Sequence, residues 1–177
     1  DAMKQNEKPR PECPNIVLIL ADDMGFSDLG CYGAEIATPN LDRLAGEGMV
    51  FMQAYAAAAN CAPSRASLMS GRYTTSHGIY TVSPSERGDP RTRRIIPVPN
   101  ADSLPHGFYT LAEALRDNGY QTCHAGKWHI TEDPCDQGFD INKGGHDKGS
   151  PPGGYYTPYK NPKLSDGPEG EYLPDRL

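Results

Sequence analysis

Residues 16–21 form an unbroken apolar run, IVLILA, which stands between Pro14 and the acidic pair Asp22 and Asp23. A strand buried on both faces of a parallel sheet has this composition, whereas a half-exposed strand alternates apolar and polar residues. The run is much shorter than the roughly 20 residues needed to span a bilayer. We therefore predict a buried parallel strand that carries both carboxylates at its carboxyl end, and no membrane span.

Helix signals occur at three later points in the chain. A proline at the first helical position and a capping box both mark the start of a helix. The predicted helices begin after Thr38 in TPNLDRLAGEG, after Cys61, which directly precedes residues 62–70, and after Thr110, whose capping-box partner is Glu113.

Two further strands are predicted between and after these helices, at MVFMQAYA (residues 49–56) and YQTCHA (residues 120–125). Strands that alternate with helices indicate an α/β fold with a mostly parallel central sheet. In such sheets ligands bind outside the carboxyl ends of the strands. We therefore expect the pair Asp22 and Asp23 to converge with Lys127 and His129, which follow the last of these strands.

Composition restricts the class of protein and the organisation of the chain. The net charge of −6 comes from 17 Lys and Arg against 23 Asp and Glu, which disfavours a nucleic-acid partner because such binding needs concentrated positive charge. Residues 1–13 are polar and lack the apolar centre of a signal peptide. Residues 142–177 have no apolar periodicity, and we expect them to form a long loop that either lines a site or packs against residues beyond position 177.

Three small groups of residues have side chains suited to chemistry, and each also has an ordinary structural interpretation. Asp22 and Asp23 offer hard oxygen ligands for Ca²⁺ or Mg²⁺, although an acidic pair after a strand is also typical of a solvated turn. The five cysteines leave at least one unpaired thiol. At a helix start near Arg65, the thiolate of Cys61 is favoured, although a lone cysteine is also a small buried apolar residue.

The third group is GKWH, in which Lys127 and His129 stand on either side of Trp128. Two cationic or donor side chains at a strand end can hold an anion, although such a tetrapeptide is also common in surface loops. Cys123 and Cys135 are candidates for a disulfide, but their spacing in the sequence does not establish the pairing.

Taken together, these segments resemble the type I sulfatases. CAPSR at residues 61–65 matches the family's C-x-P-S-R signature, and ASLMSGR continues it. The resemblance extends in the family's order through PNIVLILADDMGFSDLGCYG, TPNLDRLAGEGMVF, HGIYT, TLAEALRDNGYQTCHAGKWH and DQGFD, and covers residues 14–146. It implies the α/β/α sandwich of the alkaline phosphatase superfamily, with residues 14–177 as the amino-terminal part of the catalytic domain after a polar tail at 1–13.

The resemblance also implies a role for each site residue. Cys61 would be oxidised to formylglycine by a maturation enzyme, and the hydrated aldehyde would be the nucleophile. The implied metal ligands, usually for Ca²⁺ with Mg²⁺ as an alternative, are Asp22, Asp23 and the converted Cys61. Arg65 would hold the formylglycine, and Lys127 and His129 would bind the sulfate group and the diol.

The activity implied is hydrolysis of a sulfuric ester, with a sulfated carbohydrate as the expected substrate and the periplasm or cell exterior as the expected location. One diol hydroxyl would attack sulfur as the alcohol of the ester leaves, and the other would then lose its proton, expel sulfate and restore the aldehyde. Two alternatives stay open: a phosphoester or phosphonate hydrolase of the same superfamily, and a non-catalytic binding module with unmodified Cys61. The family places further metal ligands beyond position 177, so we expect residues 1–177 alone to be inactive.

Overall fold

The computed structural model describes residues 13–86 and 88–177. Its contacts divide the chain into two compact units, Asp1–Val50 and Phe51–Leu177. The polar tail predicted at residues 1–13 lies outside the described residues except for Cys13. All five cysteines are free thiols, so Cys123 and Cys135 do not form a disulfide. Among the helices of the described residues, none is both long and apolar enough to cross a membrane.

The first unit contains one α-helix, α1 (Pro39–Glu47), and two short 3₁₀ turns at Phe26–Asp28 and Gly30–Tyr32. Thr38 stands at the N-cap of α1 and Pro39 at its first position, as predicted. The carboxylate of Asp42 accepts hydrogen bonds of 2.8 Å from the Cys31 backbone N–H and from the Thr38 hydroxyl. These bonds attach the turn at residues 30–32 to the first turn of α1.

The strands predicted at residues 16–21 and 49–56 are absent from the described structure. Both segments are extended or irregular without ladder partners, and their side chains are exposed, as in Val17 at 82% and Ile19 at 77%. A buried parallel strand needs hydrogen-bonded neighbours on both edges and covering layers on both faces. The described residues supply only one ladder, which lies in the second unit.

The second unit contains four helices and a two-stranded parallel sheet. The strands pair in register, Cys123 with Ile141 and Ala125 with Lys143. Short 3₁₀ turns lie at Pro90–Thr92 and Pro134–Gln137. The elements are α2 (Cys61–Ser70), α3 (Thr74–His77), α4 (Leu111–Asp117), α5 (Leu173–Arg176), β1 (Cys123–Ala125) and β2 (Ile141–Lys143).

The helix predictions for this unit are confirmed with small shifts at the ends. The capping box of α4 is present, because the Thr110 hydroxyl accepts from the Glu113 N–H and the Glu113 carboxylate accepts from the Thr110 N–H. Gly119, which follows the end of α4, has a left-handed φ of 85°. The helix predicted over residues 62–70 begins one residue earlier, so Cys61 is its first residue.

The core of the second unit packs one face of α2 against the segment that follows β1. From α2 it takes small and apolar side chains, and from the later segment it takes Trp128 and Ile130. Its buried members are Ala62, Ala66, Met69, Ile79, Leu104, Trp128 and Ile130. This core holds the helix that begins at Cys61 beside the segment that contains Lys127 and His129.

Residues 144–177 form a long loop, as predicted, and the loop packs largely against itself. Its regular elements are α5 and an isolated bridge between Tyr156 and Tyr172. Tyr159 is fully buried, its N–H donates to Asp166 at 2.6 Å, and its hydroxyl donates to the Glu171 carboxylate at 3.0 Å. These contacts order a segment that has no apolar pattern.

Candidate active site

The first turn of α2 carries Cys61 and Arg65 one helical turn apart. Residues four apart lie on the same face of a helix, so both side chains are placed on one side of its amino-terminal end. Cys61 is partly exposed, whereas Arg65 is only 8% exposed. The burial of Ala62, Pro63 and Ala66 fixes the orientation of this turn.

Arg65 connects this turn to the segment after β1. Its guanidinium Nη1 donates a hydrogen bond of 2.5 Å to the carbonyl oxygen of Lys127. The bond places Cys61, Arg65 and Lys127 in one region of the second unit, and His129 follows two residues later. Four of the six predicted site residues are therefore organised by α2 and the segment after β1.

Trp128 anchors the GKWH segment in the core. Its ring is 2% exposed, its indole N–H donates to the Thr131 hydroxyl at 2.8 Å, and it meets His124 and Phe139 edge to face. The residues on either side of it, Lys127 and His129, remain partly exposed. The buried indole thus fixes the backbone from which both predicted anion-binding side chains project.

The backbone of His129 adopts a left-handed conformation with φ of 61°. Its N–H donates to the carbonyl oxygen of His146 at 2.9 Å, which attaches it to the loop after β2. A left-handed φ is uncommon for a residue with a β-carbon and is found where surrounding contacts hold it. The position of His129 therefore depends on a segment that follows it by 17 residues in sequence.

Asp22 and Asp23 belong to the first unit, where both are exposed after the extended segment. Asp23 also has a positive φ, of 55°. Their convergence with Lys127 and His129 remains a prediction. Within residues 13–86 and 88–177, no three His, Cys, Asp or Glu side chains are grouped as metal ligands.

Two other histidines of the second unit have structural contacts. The Nδ1 atom of buried His77 accepts from the Ile79 N–H at 3.1 Å, so its Nε2–H donates to the Ser67 hydroxyl at 3.0 Å. Burial lowers the pKa of His77, which keeps the ring neutral. Burial also lowers the pKa of His124, which packs against Trp128.

The loop at residues 146–149 contributes to the site but carries no motif that predicts this contribution. The signals in the sequence are its high glycine content and a histidine directly after Gly144 and Gly145. Such composition is common in loops of every kind. The contact between His129 and His146 is therefore a property of the folded chain that the sequence pattern does not indicate.

Comparisons with known proteins identify the family of this chain. The model of the Sulfatase family matches residues 14–176. N-acetylgalactosamine-6-sulfatase of Rattus norvegicus is 41% identical over 154 residues, which cover 85% of this chain and 28% of that protein. Arylsulfatase G of Homo sapiens is 40% identical over 171 residues, which cover 91% of this chain and 30% of that protein.

Solved structures show the same likeness. The crystal structure of Ps i-CgsB in complex with k-i-k-neocarrahexaose has a TM-score of 0.65 and 32% identity, covering 92% of this chain and 39% of that one. A Bacteroides thetaiotaomicron protein from a locus for the metabolism of multiple glycosaminoglycans has a TM-score of 0.58 and 34% identity, covering 73% of this chain and 27% of that one.

The matched region spans less than a third of the length of the curated relatives. The fold is that of an incomplete α/β domain of the alkaline phosphatase type, represented in this chain by its parallel β1 and β2 pair and its helices. The family model covers nearly the whole chain. This chain belongs to the sulfatase family.

Proposed function

We propose that the full-length protein is a sulfuric ester hydrolase in which Cys61 is the precursor of a formylglycine nucleophile. The observation that carries the proposal is the hydrogen bond between Arg65 and the Lys127 carbonyl. It joins the helix that begins at Cys61 to the GKWH segment, and thereby gathers a nucleophile position and two cationic side chains. Members of the sulfatase family generally use a formylglycine and a divalent metal.

A sulfated carbohydrate is the proposed substrate class. One relative is named for a sulfated amino sugar, N-acetylgalactosamine 6-sulfate, and one structural neighbour was solved with a neocarrahexaose. Steryl-sulfatase of Homo sapiens is also 43% identical over 118 residues. Relatives that are named for different substrates share this region. We therefore propose that residues in other parts of the protein select the sugar and the position of its sulfate.

The residues of this chain contribute a nucleophile and positive charge to the reaction. Position 61 lies at the amino-terminal end of α2, where the helix dipole favours negative charge. Arg65 and Lys127 place positive charge where the sulfuryl oxygens become more negative in the transition state. When converted, position 61 supplies the attacking hydroxyl, and its second hydroxyl permits the release of sulfate.

The first unit offers a donor set that suits a hard divalent cation. Asp22 and Asp23 are adjacent, exposed carboxylates, and oxygen ligands of this kind are preferred by Ca²⁺ and Mg²⁺. We propose that they hold the metal, usually Ca²⁺, together with the converted Cys61. Since Ca²⁺ takes about 6 to 8 oxygen ligands, these residues form only part of its site. A bound cation would lower the pKa of a coordinated hydroxyl and offset negative charge.

We further propose that residues 14–177 are the amino-terminal part of the catalytic domain. The support is the family match to residues 14–176 together with coverage of about 28% of the relatives' length. The proposed partners are a sulfated substrate and a formylglycine-generating maturation enzyme. The proposed location is the periplasm or the cell exterior.

The test uses full-length protein that is co-expressed with a formylglycine-generating enzyme. We expect release of sulfate from para-nitrophenyl sulfate and from at least one sulfated sugar, and loss of both activities on removal of divalent metal by a chelator. The peptide containing residue 61 should be lighter by about 18 mass units than its cysteine form. Cys61→Ala should be inactive, whereas Cys31→Ala, at an exposed free thiol, should be unaffected.

The outcomes separate the three hypotheses. Turnover of an aryl phosphate in place of the aryl sulfate would favour the phosphoester hydrolase. An unmodified Cys61 in protein from the natural source, together with binding of sulfated sugar without turnover, would favour the binding module. Full activity in Cys61→Ala would contradict position 61 as the nucleophile, whether the enzyme is a sulfatase or a phosphoester hydrolase.

A further inference from the structure

We propose that Gly149 is a positioning residue for His129, and that it is a glycine because the imidazole ring occupies the space of a side chain. The inference rests on the proposed role of His129 in the sulfatase reaction. It extends the site to a loop that lies outside the GKWH segment and outside the CAPSR signature. Gly149 itself would touch neither the nucleophile nor the substrate.

The contact between Gly149 and His129 is very close. A β-carbon at position 149 would lie 2.6 Å from Cε1 of His129, 2.9 Å from Nδ1 and 3.2 Å from Nε2. Ordinary van der Waals contact begins at about 3.4 Å. Three ring atoms therefore lie against one face of the Gly149 backbone, which closes that side of the imidazole.

The conformation of Gly149 does not itself require glycine. Its φ lies outside the left-handed region, unlike the φ of 81° at Gly144. An L-residue can adopt such a backbone without strain. The space filled by His129 is thus what excludes a side chain at position 149.

Several hydrogen bonds hold the loop that carries Gly149, so it can keep a fixed position beside the His129 ring. Gly145, directly before the loop, exchanges hydrogen bonds with the side-chain amide of Asn142 on β2. The Nδ1 atom of buried His146 accepts from the Lys148 N–H at 3.0 Å. The carbonyl oxygen of His146 accepts from the His129 N–H, so one loop contacts both the backbone and the ring of His129.

This loop also lies near Lys127, one of the residues proposed to hold sulfate. Gly149, Lys148 and Ser150 line a cavity of about 120 Å³ together with Lys127. The loop thus lies against the His129 ring and also shares this cavity with Lys127. The geometry connects the loop to the reaction through a side chain rather than through the general stability of the fold.

A methyl group at position 149 should displace the ring rather than unfold the loop. The atoms it would meet are the far end of a side chain, which can turn aside by roughly 1 Å or more at low cost, and a misplacement of that size lowers catalysis by about 100-fold in enzymes. By contrast, a β-carbon at Gly145 would meet Pro134 at 2.6 Å and the core-packed His124. Gly145→Ala should therefore lose stability.

The experiment compares Gly149→Ala with Gly107→Ala in the full-length, matured protein. Gly107 also lacks a left-handed φ, and a β-carbon there meets no atom within 4 Å. With para-nitrophenyl sulfate we expect Gly149→Ala to lower kcat by about 10- to 100-fold, with a smaller change in KM. Its melting temperature should stay within about 2 °C of the parent protein, as should that of Gly107→Ala.

A double-mutant cycle isolates the contact with the ring. His129→Ala should lower kcat strongly, and adding Gly149→Ala to it should change kcat by less than about 2-fold, because the displaced ring is already absent. A further large loss in the double variant would overturn the inference, because Gly149 would then act through another group. Failure of Gly149→Ala to fold would also overturn it, since the backbone rather than the ring would then have to yield.

The controls distinguish this inference from the proposed function. An inactive Cys61→Ala and an inactive His129→Ala beside a fully active Gly149→Ala would reject the positioning role and leave the sulfatase proposal intact. Activity in Cys61→Ala would reject the proposed nucleophile. Activity in His129→Ala would remove His129 from the catalytic group and would overturn the role of Gly149 with it.

Discussion

Arg65 and Lys127, which are 62 residues apart in sequence, are joined by a hydrogen bond of 2.5 Å from the guanidinium to a backbone carbonyl oxygen. A hydrogen bond to a charged group contributes about 1.5 to 3 kcal/mol. Arg65 is buried, so this bond is protected from competition with water. One side chain therefore fixes the distance between the helix that begins at Cys61 and the backbone of the GKWH segment.

Arg65→Ala should lower both stability and activity of the full-length protein. We expect the free energy of unfolding to fall by about 1.5 to 3 kcal/mol, because the Lys127 carbonyl loses a charged donor. The kcat for an aryl sulfate should fall by at least about 100-fold, because a cation is removed from the reaction centre. Urea denaturation and steady-state kinetics measure the two effects.

Arg65→Lys and Arg94→Ala are the matched variants for this prediction. Lysine keeps the charge but lacks the planar fork, so Arg65→Lys should regain part of the stability and little of the activity. Arg94 is an exposed arginine in the same unit, and its loss should have no measurable effect. Wild-type turnover by Arg65→Ala would contradict the role assigned to the guanidinium.

His77→Ala should lower stability without lowering kcat. Both ring nitrogens of His77 have protein partners, Ser67 and Ile79, so its removal leaves polar groups unsatisfied in the core at a cost of about 1 to 3 kcal/mol. Because burial lowers the pKa of His77 in the folded state, the unfolded state binds a proton first as pH falls. Stability should therefore decline below about pH 6.5, and less so in the variant.

His106→Ala is the control for His77, since the His106 ring is exposed and makes only long contacts, at 3.2 Å to the Asp136 carbonyl and at 3.5 Å to the Gln137 amide. We expect it to leave the free energy of unfolding within about 0.5 kcal/mol of the parent value. Thermal denaturation as a function of pH compares the two variants. A large loss of kcat in His77→Ala at full folding would assign His77 to the reaction instead.

The helices of this chain are predictable because their signals are local. Thr110 and Glu113 lie three residues apart and form their capping box without help from the rest of the fold. The chemical residue types in CAPSR and GKWH likewise identify the family from short segments. Signals that lie within one turn of a helix can be recognised in the sequence without knowledge of the tertiary structure.

The contacts that organise the site are not predictable in the same way, because they join distant residues. β2 is only three residues long, and no apolar pattern in the sequence predicts its pairing with β1. The strand predicted at residues 16–21 has the right composition but no ladder partner among the described residues. The fit of Gly149 against His129 depends on a loop path that composition does not encode.

Residues 1–177 expressed alone should release no sulfate from an aryl sulfate, whereas the full-length protein should. The apolar side chains of residues 16–20 are exposed, and exposed apolar runs of this kind promote association between chains. We therefore expect the isolated chain to aggregate and to bind the dye ANS. Sulfate release, size-exclusion chromatography and dye fluorescence measure the three properties.

Replacing two exposed apolar residues, Val17 and Ile19, tests whether aggregation of the isolated chain is independent of its lack of activity. Val17→Lys with Ile19→Lys should reduce aggregation of the isolated chain, because edge charges oppose pairing between chains. The same pair of changes should destabilise the full-length protein if residues 16–21 form a buried strand there. Detectable turnover by residues 1–177 would contradict the proposal that they are only part of the catalytic domain.

Asp133→Asn should make the second unit less stable near neutral pH and less sensitive to acid. Asp133 accepts hydrogen bonds from the Cys135 N–H, from Asn142 on β2 and from the Lys163 ammonium at 2.7 Å. Burial raises the pKa of its carboxyl, but the hydrogen bonds from Lys163 and Cys135 and the charge of Lys163 bring the pKa down to about 2. The stabilisation is therefore present above the unfolded pKa near 3.9 and is lost as pH falls towards about 2.

The size of the Asp133 effect should be modest, about 1 kcal/mol, because its ion pair with Lys163 is partly exposed. Asp136→Asn, at an exposed carboxyl in the 3₁₀ turn that follows Asp133, provides the control and should have little effect on stability at neutral pH. Urea denaturation between about pH 2 and pH 7 measures the difference. Equal acid sensitivity in the parent and in Asp133→Asn would mean that the carboxyl keeps an ordinary pKa and does not connect Asn142 on β2 with Lys163.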